Sequence, residues 1–556
     1  MLITDPDILK VWLRQQKVIA IDTETNITEN DHERFLVGVS FYSPGNEPFY
    51  LPVGHREYIV PIENATFWDF SMDLRPDVSL IFHNAKFDLK VLRGAGCDLL
   101  DFDIIDTMLW HHLLDSYRPH DLASLEKKFL DKDTKADLVK AIKQIREARG
   151  MEAVPPIAMA VYAENDVIST YELYALFRPQ LEAQGLIEIW ETDQKFMKLL
   201  VRLEESGLKL DRPRAQHLAQ QSKDRMQVIR QQLPFDPAKS SQVITRFFSP
   251  IPDGLGLSPT KRTPGGKPST DDEAMTAVNH PEAGLLLEYR GLAKATSTWF
   301  EGFQTKCDQA GYLHPTFKQH GTLTHRLSAE NPNPQQIPRE GSVKSLFLPE
   351  EGCELVEFDY RAIEFRLAAW YSGDENLIEV FRTDGDIHQY VADRLGIKRQ
   401  SAKNTNFTII YAGGPSRIAT TAGIPLKDAR AIYASYREEY PKLFAIADKC
   451  EYLAEKRGYI KYWDGRRRIF KQTFECRKAF NSVVQGGAFQ IIKRSMLHLE
   501  EMGVDMRNQV HDSIWVNVPI GESKQSIIDA MVDWTVERFD MPFHVDWKVL
   551  HKGVLV

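Results

Sequence analysis

The sequence predicts a multidomain chain, an α/β unit over residues 1–185 followed by an α+β unit over 186–556, and three observations carry that prediction. A length of 556 residues exceeds what one hydrophobic core ordinarily fills. Short apolar runs alternate with helical stretches up to about residue 180, and long amphipathic helices dominate beyond it. Gly150 and Pro155-Pro156 punctuate the chain near that change of texture, and a Gly/Pro/Ser/Thr-rich loop covers Pro259 to Thr270.

Taken in order, Lys17-Val-Ile-Ala-Ile21 is an apolar strand that ends at Asp22. The runs from Phe35 to Tyr42 and from Pro48 to Val53 predict neighbouring strands. Leu80-Ile-Phe82 predicts another, followed by a helix from Asn84, and residues 131–150 are charged and helical. Ile187 to Ser206 is an amphipathic helix. A strand at Glu354–Phe358 comes next in the second unit, and apolar alternation near Val510 and over Ile514–Val518 predicts a hairpin.

Hydrophobic residues make up 43% and charged residues 26%, the balance of a soluble enzyme. No apolar run approaches the roughly 20 residues of a membrane helix. Residues Met1 to Asp7 lack a basic, apolar leader, so a cytoplasmic protein without a targeting signal is expected. Five scattered cysteines without a C-x-x-C pair argue against a zinc site or a disulfide framework. Net charge is −9, yet nine Lys/Arg face two acids between Lys456 and Lys478, as on a nucleic-acid surface or an ordinary solvated face.

Three acidic motifs stand in the first unit. Asp22-Thr-Glu24 closes an apolar strand, where two carboxylates can enter a cleft. Asn84-Ala-Lys-Phe-Asp88 opens a helix, and Tyr162-Ala-Glu-Asn-Asp166 puts a phenol and a carboxylate on one helical face, as an ordinary surface pair also would. In the second unit, Phe358-Asp-Tyr-Arg-Ala-Ile-Glu-Phe-Arg366 is a strand that turns at an acid into a helix. Arg399, Lys403, Phe407 and Tyr411 recur every four residues, a helical stripe with cations first and aromatics after. A surface helix with inward-packed aromatics would share that spacing, but so would a nucleotide site, with cations for the phosphates and rings for sugar and base. Val510-His-Asp-Ser513 lies within the predicted hairpin.

In this order, together with Asp106-Thr-Met-Leu, Asp386-Ile-His388 and Thr324-His-Arg-Leu-Ser-Ala-Glu-Asn-Pro-Asn-Pro, the segments resemble the family A DNA polymerases, the bacterial DNA polymerase I-like type in a small, phage-type form. The resemblance implies an RNase H-like 3′→5′ exonuclease domain at 1–185 and a right-hand polymerase at 186–556. Within the hand it implies a thumb at about 190–310, a palm at about 311–380 and 480–556, and fingers at about 381–479. It implies two Mg²⁺ (or Mn²⁺) ions per active site, hard cations that suit carboxylate oxygens. Asp22, Glu24, Asp88 and Asp166 would hold one pair, with Tyr162 orienting the attacking water. Asp359 and Asp512 would hold the other.

By the same resemblance Arg399, Lys403 and His388 meet the phosphates, Phe407 and Tyr411 meet sugar and base, and Glu364 closes the space beside the sugar 2′ position. Arg326, Asn333, Arg477, Asn481, Gln485 and His511 contact primer-template DNA. Tyr289-Arg-Gly-Leu-Ala-Lys294 and Pro268-Ser-Thr270 resemble the thumb region. A monomer is expected, with dNTPs as substrates, unknown accessory proteins, no membrane partner and no room for a 5′ nuclease. The departures are Ser513 where the family usually has Glu, Arg361-Ala362 for Ser-Gln, and His325 and Ala412 for Gly. A single-subunit RNA polymerase and a DNA-binding scaffold with decayed sites are the rival expectations. Glu364, Phe407 and the nuclease motifs oppose the first, and six metal-type carboxylates oppose the second.

Overall fold

A computed structural model describes residues 1–3, 6–26, 34–56, 69–132, 136–338, 342–411 and 413–553. Ala412, one of the departures named above, lies outside the described residues.

The apolar runs of the first unit form a five-stranded sheet. Its strands are β1 (Val18–Thr25), β2 (Leu36–Tyr42), β3 (Phe49–Pro52), β4 (Ser79–Phe82) and β5 (Asp103–Asp106). They stand in the order β3-β2-β1-β4-β5, with β1 antiparallel to β2 and parallel to β4. β1 is therefore central and almost wholly buried, which explains why it reads as a continuous apolar run. Helix α1 (Ala85–Gly94) follows β4, α2 (Thr107–Leu114) follows β5, and α3 (Pro156–Gln184) crosses β1 and β2. Pro156 opens α3 at a position whose N–H has no helical partner, and Gly185 in the left-handed region (φ 67°) closes it. Ile19, Ile21, Val39, Leu80 and Ile104 share one core with Val167 and Phe177 of α3.

Helix α4 (Ile187–Ser206) leads into the second unit. There the sheet is β6 (Cys353–Tyr360), β7 (Met506–Val510), β8 (Ser513–Pro519) and β9 (Val545–His551), in the order β7-β8-β6-β9 and antiparallel throughout. β9 escaped the sequence reading. Helices α5 (Ile363–Ser372), α6 (Ile387–Leu395), α7 (Arg399–Ile410) and α8 (Ala479–Glu501) enclose a core that joins Phe358, Phe365, Ile410, Val484 and Ile491. Gly486 lets α8 approach its neighbours, because an added Cβ would stand 2.5 Å from the Thr324 carbonyl oxygen and 2.3 Å from the Tyr462 ring.

Buried charge ties α4 to both units. Within the second unit Asp193 of α4 accepts from Arg466 at 2.7 and 2.8 Å and from Lys493 at 2.6 Å. Glu204 is paired with Lys86 and Lys90 of α1. Burial pushes the Asp193 carboxyl up, but the two cations more than offset this and hold it well below the carboxylate range. This corrects part of the basic-surface expectation: Arg466 and Arg468 are 2% and 4% exposed and serve the interior. Lys456, Arg457, Lys461, Lys471, Arg477 and Lys478 remain exposed. No helix among the described residues is long and apolar enough to cross a membrane.

Candidate active sites

The first site forms where β1 meets α3. Asp22 and Glu24 alternate with Thr23, so the two carboxylates leave the strand on one face. Asp166 reaches them from α3, and ligand oxygens of Asp22, Glu24 and Asp166 lie within 4.8 Å of one another. An all-oxygen set of this kind fits a hard divalent cation. Tyr162, one turn before Asp166, is hydrogen-bonded to it, and burial followed by the Asp166 charge pushes its phenol up. Helical spacing therefore does bring phenol and carboxylate together at the cluster.

Asp88 stays outside that cluster. Its Oδ1 accepts from the Thr23 N–H at 3.1 Å and the Thr23 hydroxyl at 2.6 Å, so the four-acid set expected from sequence resolves into three acids and one buried neighbour. Burial raises its pKa to about 7, against those two hydrogen bonds. Asp106 explains how α1 is aimed. It accepts from the backbone N–H groups of Asn84, Ala85, Met108 and Leu109, capping α2 and fixing the start of α1, and burial raises its pKa to about 6. The sequence marked Asp106 as part of a motif shared with the family, without indicating what it holds.

The second site centres on the four-stranded sheet. Asp359 on β6 faces Ser513 on β8 and Asp546 on β9. The Tyr360 N–H donates to the Asp512 carbonyl at 3.1 Å, bringing the β7–β8 turn with His511 and Asp512 beside Asp359. His511 takes the left-handed region (φ 52°) in that turn. Asp359, His511 and Ser513 line a cavity of about 200 Å³ with Lys344, Glu357 and Lys548.

Helix α7 faces outward along its predicted stripe. Arg399 is exposed, Lys403 and Phe407 are half-buried, and Tyr411 is exposed, so the inward-packing alternative fails. The helix ends at Ile410, and Tyr411 is its cap residue, stacked on Phe407 with centroids 6.3 Å apart. The Tyr411 hydroxyl donates to Glu364 at 2.5 Å, while Arg326 donates to the other Glu364 oxygen at 2.5 Å. Burial still leaves the Glu364 carboxyl above its ordinary value.

Arg399 is paired with Asp386 at 2.7 Å. His388, expected at the phosphates, is held by a residue of α7. Asn406 donates to its Nδ1 at 2.9 Å, Tyr436 orients Asn406 at 3.0 Å, and burial lowers the imidazole to about 4. It is a neutral ring offering Nε2–H, and sequence reasoning missed Asn406 as its holder.

Asn481 and Gln485 are half-buried on an otherwise largely buried stretch of α8, four residues apart on one face, and Gln485 touches the Tyr411 hydroxyl. Arg477 precedes that helix, in a 3₁₀ turn over Thr473–Lys478, so its four-residue step to Asn481 crosses from one element to the next. Asn333 caps the short turn Pro334–Gln336, accepting from the Gln335 N–H at 3.0 Å.

A family model described as DNA polymerase family A matches residues 209–552, and one described as 3′-5′ exonuclease matches residues 2–182. DNA polymerase I of Chloroflexus aurantiacus is 31% identical over 555 residues, covering 92% of this chain and 58% of that protein. DNA polymerase I of Treponema pallidum is 30% identical over 84% of this chain and 50% of its own length. DNA polymerase DpoZ of Acinetobacter phage SH-Ab 15497 is 27% identical over 88% of each. The chain thus spans about half to three fifths of these two bacterial relatives. The polymerase domain of Pol1 from M. smegmatis, solved in complex with DNA primer-template and dNTP, shares the fold, with a TM-score of 0.83 at 21% identity over 98% of each chain.

Proposed function

The chain belongs to DNA polymerase family A, and from that premise we propose that it extends a DNA primer along a template with dNTPs and removes misincorporated 3′ ends. The observation that carries the reading is the meeting of Asp359 with the Asp512 turn, together with an outward stripe of Arg399, Lys403, Phe407 and Tyr411 whose last member is bonded to Glu364. Residues 1–185 act as the exonuclease. Residues of about 190–310, 311–380 with 480–556, and 381–479 act as thumb, palm and fingers.

Asp359 and Asp512 are suited to hold divalent metal at the palm, and Asp22, Glu24 and Asp166 at the nuclease site. When bound, Mg²⁺ or Mn²⁺ supplies Lewis-acid activation of the attacking oxygen and neutralisation at the leaving oxygen. Arg399 and Lys403 add positive charge for the triphosphate, and His388 donates Nε2–H without a charge of its own. Phe407 and Tyr411 offer stacked faces to sugar and base. Glu364, fixed between Arg326 and Tyr411, fills the space a ribose 2′-hydroxyl would need. In the nuclease site Tyr162 orients the attacking water, and Asp88, held by Thr23, completes the acidic set. Arg326, Asn333, Arg477, Asn481, Gln485 and His511 contact the duplex backbone, since base pairing itself supplies sequence choice.

Primer extension with Mg²⁺ tests the reading. Templated extension with dNTPs and primer shortening without them are expected. Efficient extension by NTPs instead would favour an RNA polymerase, and neither activity would leave a DNA-binding scaffold.

A further inference from the structure

Glu357 stands two residues before Asp359 on β6, so both side chains leave the strand on one face, about 6–7 Å apart along it. Glu357 pairs with Trp515 on β8 and Lys548 on β9, two rungs from the Ser513–Asp359–Asp546 rung. Its carboxylate is among the most elaborately held in the palm. Lys344 donates to both oxygens at 2.7 Å, Trp515 Nε1–H to Oε1 at 3.2 Å, and the Ser513 hydroxyl lies 3.0 Å from Oε1. Ser513 Oγ is also 2.9 Å from the Val510 carbonyl, so one proton serves two acceptors across the turn. That turn carries His511 and Asp512. Glu357, Asp359, His511 and Ser513 line one cavity.

A simple surface ion pair with Lys344 would need neither the indole nor the hydroxyl. Both residues are largely buried, and Ser513 is 1% exposed. We propose that Glu357 is a positioning residue of the synthetic site: it braces the His511-Asp512 turn against β6 through Ser513 and adds a third carboxylate to the face that receives the divalent cation. The proposal rests on the polymerase reading above. It is a role for a particular charge at a particular place, so it predicts that the carboxylate can be moved to the diagonal position on the adjoining strand but not removed.

The experiment compares primer-extension rates over a Mg²⁺ titration for the full chain and three variants. Loss of a residue supporting metal ligands typically costs about 10- to 100-fold in affinity or activity. Glu357→Ser should therefore slow extension roughly 10- to 100-fold and raise the Mg²⁺ concentration for half-maximal rate. Ser513→Glu should also impair it, because two carboxylates would then face each other at contact distance. The double variant Glu357→Ser with Ser513→Glu should return most of the rate and the Mg²⁺ midpoint, which a merely structural pair would not do. Nuclease activity, housed in the other unit, should stay unchanged in all three and certifies folding. A double variant no better than Glu357→Ser, or a Glu357→Ser protein with an unmoved Mg²⁺ midpoint, overturns the proposal. Absence of extension by the unaltered chain would instead overturn the polymerase reading.

Discussion

The two carboxylate sites gather like charge in opposite ways. At the first, a buried strand and a long helix press Asp22, Glu24 and Asp166 within 4.8 Å, with Asp88 behind them raised to about 7. At the second, acids are spread over two strands, a turn and a helix and interleaved with cations: Lys344 on Glu357, Arg326 on Glu364, Arg361 on Asp546. On the proposed function, the difference follows from what each site would receive. A metal-rich cut in a phosphodiester asks only for hard anionic ligands. A site admitting a triphosphate must offset the substrate's own charge as well, and concentrated acid there would repel it.

The largest expected effect separates the sites outright. Asp359→Ala or Asp512→Ala should lower synthesis by several orders of magnitude while primer shortening continues, because each removes a metal ligand from one unit only. Asp22→Ala with Glu24→Ala should do the reverse. Rates of extension and of degradation measured on one labelled primer check both, and a variant that loses the two activities together would break the comparison.

Second in size is the buried charge cluster that seats α4 within the second unit. Removing one partner of a buried charge cluster costs about 3–5 kcal/mol, so Asp193→Asn should destabilise the chain by that order. The folded carboxyl titrates below its unfolded value, so its contribution is complete above an unfolded pKa near 3.9 and fades only as pH falls further. The stability deficit of Asp193→Asn, read by urea unfolding, should thus shrink as pH falls below the unfolded carboxyl value of about 3.9. A deficit that grew toward low pH would contradict the sign.

Legibility in the sequence divides along the same line. The sheet of the first unit was readable because β1, β2 and β4 are short apolar runs that burial dictates locally. The palm strand, the hairpin and the outward stripe of α7 were readable for similar reasons. β9 was not, because half of it is exposed and its reason to be a strand is a partner nearly 190 residues earlier. Likewise Asp106, Asn406 and Glu357 act through contacts that no spacing announces. Ser513 read as a missing acid, yet a carboxylate from the adjacent strand lies 3.0 Å from its hydroxyl. Arg466 read as surface charge because its counter-ion, Asp193, is remote in sequence.

A third prediction sharpens the account of the triphosphate site. Phe407 offers its ring 5.9 Å from His388 and no hydrogen bond. The nucleotide's own 3′-hydroxyl must then help to arrange the phosphates, and a dideoxynucleotide should be a poor substrate. Phe407→Tyr, in a nuclease-deficient background, restores an oxygen there. A charge-assisted bond worth roughly 1.5–3 kcal/mol corresponds to about 10- to 150-fold in the dNTP-to-ddNTP ratio of kcat/KM. An unchanged ratio would make Phe407 a packing residue.

The smallest effect concerns the Tyr411–Glu364 bond, where the two ideas about sugar choice part. If Glu364 alone excludes the ribose 2′-hydroxyl, its carboxylate must be held still, and Arg326 and Tyr411 hold one oxygen each. Tyr411 is 40% exposed, so water can replace its hydroxyl in part. Losing it should cost about 0.5–1.5 kcal/mol, or roughly 2- to 12-fold. Tyr411→Phe keeps the stacked ring on Phe407 and should leave kcat for dNTPs nearly intact. It should lower the dNTP-to-NTP ratio of kcat/KM by that modest factor, whereas Glu364→Ala should lower it further. Combining the two substitutions discriminates between routes. If the hydroxyl works only by restraining Glu364, the double variant should match Glu364→Ala, because the restrained group is gone. Independent, multiplying losses would mean that Tyr411 touches the sugar itself, and the gate would then be the pair rather than the carboxylate.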